Sequence, residues 1–122
     1  VKTVKYVPRL CKVGENGEEP KLEGSVTLRV PNYFEKMEYF ERLNVKYTDD
    51  GSVDLGTMTD KIKSMTDLVR MSEKHYVAVE LKNKVTGEEF KSFEDLSYES
   101  EGHEVMTEVA ALIPHGFKVG NA

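Results

Sequence analysis

The stretch Val77–Leu96, VAVELKNKVTGEEFKSFEDL, constrains the fold more than any other part of this sequence. Val77, Val79 and Leu81 alternate with Ala78, Glu80 and Lys82, the period-2 pattern of a strand buried on one face. Thr86-Gly87 breaks the run, and Glu88–Lys91 can pair back as a hairpin. Ser92 with Asp95 resembles the box that satisfies free N–H groups at a helix start. The stretch specifies strand, turn, strand and capped helix. It carries no nucleophile, metal cluster or phosphate loop.

Other segments extend the pattern. Residues 1–13 are rich in β-branched residues and read as extended structure. Pro8 cannot donate to a ladder, which suits an edge strand. Residues 14–24, GENGEEPKLEG, read as a surface loop or flexible arm. Val26, Leu28 and Val30 form one face of a strand over residues 25–30, closed by Pro31. Asn32 with Glu35 can cap a helix over 33–43, on which Tyr33, Met37 and Phe40 share one stripe. Residues 45–57 read as a loop around Asp49-Asp50-Gly51.

Thr57 or Thr59 can cap the next helix, which reaches about Lys74. Its stripe is Met58, Ile62, Met65 and Val69, with Leu68 at the edge and Met71 on the far face. A last helix over 103–113 has Val105, Val109 and Leu112 on one face, with Met106 and Ile113 beside it. Pro114 and Gly116 stop it, and a short tail follows from about 117. The expected fold is α+β: one small domain of 122 residues, with short antiparallel strands, a hairpin and three to four helices.

The chemistry-bearing residues do not converge in the sequence. His75, His103 and His115 lack i, i+4 partners, and Glu101 and His103, at i and i+2, do not share a helix face. Cys11 is the only cysteine. It cannot form an intramolecular disulfide, and this suits a reducing compartment. Glu88-Glu89 and Asp49-Asp50 are neighbouring carboxylates in turns, whereas acid–base pairs must converge across a cleft. The reading is of no catalytic, cofactor-binding or metal-binding residue.

A net charge of −5 disfavours nucleic acid and anionic lipid as partners. No apolar run approaches the ~20 residues that span a bilayer, and no apolar segment follows the N-terminal lysines as in a secretory signal. The charge is uneven, basic over the first dozen residues and acidic over 88–108, which raises head-to-tail contact between copies. Phe34, Tyr39, Met71 and Phe117 fall at flanks or ends rather than on the main stripes. Such residues either fold under loops or meet a partner, and these four are the candidate partner-contact residues. With four Tyr or Phe between Tyr33 and Phe40, that helix is the best candidate contact element.

The segments KYVPRLCKVGENG, SVTLRVPNYFEKMEYFERL, KVTGEEFKSFEDLSYE, HEVMTEVAALI and GFKVGN, in this order, resemble the small tail assembly chaperones of long-tailed bacteriophages and prophages. That resemblance implies a non-enzymatic protein of the bacterial host cytoplasm. It would bind the tape-measure protein, the tail-tube protein or both during assembly, and be absent from the finished virion. It also implies a longer frameshifted form, and Val119-Gly120-Asn121 can be encoded by a slippery heptamer. The alternative is a structural tail-completion or head–tail joining protein retained in the virion. No site residue carries over from the resemblance.

Overall fold

The computed structural model describes residues 2–42, 46–47, 53–54 and 58–117, and the side chains of 2–42 and 65–117. Among these residues the chain is a small single-domain α+β fold with a four-stranded antiparallel sheet and four α-helices. The strands are β1 (Thr3–Tyr6), β2 (Leu22–Arg29), β5 (Tyr76–Asn83) and β6 (Glu89–Phe90), in the order β1-β2-β5-β6. The helices are α1 (Tyr33–Arg42), α2 (Met58–Ser72), α3 (Phe93–Leu96) and α4 (Ser100–Leu112). A separate two-stranded ladder joins β3 (Lys46–Tyr47) to β4 (Val53–Asp54), inside the segment expected to be loop. The expected turn at Asp49-Asp50-Gly51, the Thr57 cap and the end at residues 118–122 lie outside the described residues, as do the side chains of Met58 and Ile62; Thr59 is the second residue of α2 and so does not cap it.

The hairpin forms where the sequence places it. Leu81 pairs with Phe90 and Lys82 with Glu89. The Asn83 carboxamide oxygen accepts from the N–H groups of Val85 (2.9 Å) and Thr86 (3.1 Å), and Gly87 adopts the positive φ that closes the turn. Ser92 then caps α3, accepting from the Asp95 N–H at 3.1 Å, and the Asp95 carboxylate accepts from the Lys91 N–H at 2.9 Å.

One alternation is broken. Thr27 pairs with Ala78 but Leu28 pairs with Tyr76, so Val77 is an extra residue in β5. Such a bulge resets the side-chain parity. Val77 is therefore 58% exposed, while Val79 and Leu81 face the core.

β2 starts three residues before residue 25, inside the segment expected as an arm. Gly24 accounts for the difference. It has φ +115°, and a Cβ there would lie 1.8 Å from the Glu80 carbonyl oxygen, so this glycine marks a close strand approach rather than a loop. The preceding turn is tied by main-chain bonds, Gly14 N–H to Glu18 and Lys21 N–H to Leu10. The basic N-terminal segment meets α4 of its own chain: the Tyr6 hydroxyl donates to Glu108, and the Arg9 N–H reaches both carboxylate oxygens at 3.1 Å.

Leu22, Val26, Leu28, Val79, Leu81 and Phe90 from the sheet pack with Leu68, Leu96, Val105, Val109 and Ile113 from the helices in one core. The other sheet face carries exposed Lys5, Glu23, Glu80 and Lys82. α4 begins three residues earlier than expected, because Gly102 lets it approach α3: a Cβ at 102 would lie 2.1 Å from the Leu96 carbonyl oxygen. In α2 the expected stripe is displaced. Leu68, expected at the edge, is buried, whereas Met65 and Val69 are half-buried.

Candidate protein-contact surface

α1 starts with a complete capping box. The Glu35 N–H donates to the Asn32 side-chain oxygen at 2.9 Å, and the Asn32 N–H donates to Glu35 at 3.0 Å. The same Glu35 carboxylate takes the Arg29 guanidinium in a two-pronged pair of 3.0 and 2.7 Å. Arg29 ends β2, so this pair fixes which face of α1 turns toward the sheet. One turn later on that face lies Tyr39, fully buried.

This contradicts two of the expected contact residues. Tyr39 and Phe117 are core residues, 0% and 6% exposed. Their rings flank the buried His75 imidazole, with centroids 5.9 and 6.3 Å away. Phe117 adopts φ +64°, an uncommon conformation for an aromatic residue, and its buried ring compensates for that strain. Met71 is half-buried against the core. Phe34 alone of the four is fully on the surface, at 79%.

The expected α1 core stripe points outward instead. Tyr33 is 67% exposed, Phe40 44% and Met37 40%. With Phe34, whose ring meets Tyr33 edge-on at 5.5 Å, they form an aromatic and methionine ridge along the solvent side of the helix. Contiguous exposed apolar side chains of this kind mark interaction sites. The missed signal was Glu35: a carboxylate shared by a helix cap and an arginine on the preceding strand outweighs the apolar stripe in orienting a ten-residue helix.

Electrostatics stiffen the base of the ridge. Arg29 first, and the Asn32 N–H as well, hold the Glu35 carboxyl down to about 2. Lys74 adds ion pairs to Glu35 (3.7 Å) and Glu38 (3.9 Å). The His75 Nδ1–H donates to the Arg29 carbonyl oxygen at 3.0 Å, and its Nε2 lies 3.9 Å from Glu35. Burial nevertheless pushes the imidazole below its ordinary value. His75 Nε2 and the Tyr39 hydroxyl have no hydrogen-bond partner among the described residues.

The other sequence candidates remain apart. Burial, ahead of Glu108 and Glu23, pushes the Cys11 thiol up to about 11, where it is a poor nucleophile. His103 Nε2 is engaged with the Ser97 carbonyl at 2.6 Å. Among the described residues no three His, Cys, Asp or Glu are grouped to hold a metal ion, and no helix is long and apolar enough to cross a membrane. Comparison with protein-family models, curated proteins and solved structures gives no match.

Proposed function

We propose that this chain is a bacteriophage tail assembly chaperone. In this reading it acts in the bacterial host cytoplasm, without catalysis, by binding the tape-measure protein, the tail-tube protein or both. The observation that carries the reading is the exposed ridge of Tyr33, Phe34, Met37 and Phe40 on a helix held rigidly from beneath. Aromatic and methionine side chains give large contact area with little loss of side-chain freedom, and methionine adapts to varied partners. The sequence resemblance supplies the identity of those partners.

The test is co-expression of the full chain with the tail-tube and tape-measure proteins of its own locus. The chain is expected to keep them soluble and to co-purify with them, and a Phe34→Ser/Phe40→Ser variant is expected to lose both effects. Purified virions containing the chain in fixed stoichiometry would overturn the chaperone reading in favour of a structural tail-completion or joining protein. Failure to capture either tail protein would remove both phage readings.

A further inference from the structure

β5 is longer than the strand beside it. It runs from Tyr76 to Asn83, whereas β6 has only Glu89 and Phe90, opposite Lys82 and Leu81. The direction of each main-chain group follows from period. The Asn83 N–H donates to the Glu88 carbonyl and the Asn83 carbonyl accepts from the Gly87 N–H, each at 2.8 Å, so both Asn83 groups point to the β6 side. Within a strand these directions alternate residue by residue, so those of Leu81 and Val79 point the same way. Leu81 finds Phe90 there. Val79 finds no strand, because the chain turns off after Phe90: Lys91 donates to the Asp95 carboxylate and Ser92 caps α3. The Val79 N–H and carbonyl on this edge have no partner among the described residues.

The surroundings carry a charge preference. Lys82 stands between Glu23 and Glu89 in the register, and Glu89 also meets Lys91 at 3.2 Å. Glu80 is opposite Ser25, is exposed, and has no ion pair among the described residues. Val77, lifted out by the bulge, adds an exposed apolar side chain at the far end.

We propose that the β5 edge at Val77–Glu80 binds an extended segment of another protein, which adds as a strand in line with β6 and sets a lysine or arginine over Glu80. An unpaired strand edge selects an extended backbone, since a helix has no free groups along its length to offer. Glu80 selects the charge. A second copy is a poor occupant. Each copy would bring its own β6 onto the line of the other's β5, limiting the shared ladder to the four residues Val77–Glu80. The surface uses none of the α1 ridge, so it stands or falls separately from the chaperone reading.

Amide exchange by NMR on the full chain tests it, with the capped peptide Lys-Val-Lys-Val-Lys-Val as probe. In the free chain the Val79 N–H is expected to exchange freely, while those of Glu80 and Lys82, turned toward β2, are protected. The probe is expected to slow Val79 about tenfold or more. Replacing its lysines by glutamates should weaken binding about fivefold, and Glu80→Lys should reverse that preference. N-methylation of alternate probe residues on the bonding edge should abolish binding. Val79 protected in the free chain, no binding by the probe, equal binding by the N-methylated peptide, or slowing confined to α1 would each overturn the proposal.

Discussion

α1 and α4 each carry an apolar stripe at helical spacing, and the fold treats them in opposite ways. In α4 the stripe of Val105, Val109 and Leu112 turns inward as its periodicity suggests, with Val105 and Val109 buried and Leu112 half-buried, and Met106 and Ile113 beside it are buried too. In α1 the stripe of Tyr33, Met37 and Phe40 faces solvent, and the face bearing Glu35 and Tyr39 is turned inward. A stripe identifies a face that something should cover. It does not say whether the cover is the chain's own sheet or another molecule. In α4 the polar contacts side with the hydrophobic term: Glu108 accepts from the Tyr6 hydroxyl and the Arg9 N–H without turning the stripe outward. In α1 a bidentate ion pair, a capping box and a phenol that can be buried over most of its surface compete with it and prevail.

The sharpest way to break this comparison is at adjacent positions of α1. Tyr39→Ala should destabilise the protein by roughly 3–5 kcal/mol, whereas Phe40→Ala should change stability by less than about 0.5 kcal/mol, both read from denaturant midpoints. If Phe40→Ala is the more damaging, the orientation of α1 is wrong.

Removing Glu35 tests the cause of that orientation. Glu35→Gln keeps the shape but breaks the charged pair, and should cost about 1–3 kcal/mol. Low pH does the same chemically. The carboxyl is held well below its ordinary value of 4.5, so its contribution is present above that value and is lost as pH falls through about 2.

His75 acts in a milder window. Burial depresses its pKa, so the unfolded chain takes up a proton first as pH drops below about 6.5. Stability should decline from there until the folded imidazole itself protonates. His75→Gln, even if less stable throughout, should flatten the stability slope below about pH 6.5, measured by urea unfolding at several pH values. The smallest effect concerns one atom. Tyr39→Phe removes a buried hydroxyl that has no partner among the described residues, and should be neutral or stabilising by up to about 1 kcal/mol in the same assay.

Much of the fold was legible wherever local chemistry and burial agree. The hairpin, the Ser92 and Asn32 caps and the Pro114-Gly116 stop each follow from side-chain donors, acceptors or backbone limits that act within a few residues. The errors arose where a distant partner decides. Gly24 reads as loop until β5 lies against it. Val77 reads as core until the register with β2 slips by one residue. Tyr39 and Phe117 read as spare aromatic residues until His75, far from both in sequence, gathers them. The apolar stripe of α1 is legible in the sequence but the direction it faces is not, because a helical wheel ranks faces by apolarity and contains no term for Arg29.

The left-handed turn that carries Phe117 inward makes the ring a stopper over the imidazole. A chain cut after Gly116 would leave His75 open to water on that side and reduce the burial that now resists its protonation. The acid sensitivity of the β2–α1 junction is therefore set partly by a residue far from it in the sequence. A truncation chosen only to trim the tail would alter the pH response of the helix that presents the ridge.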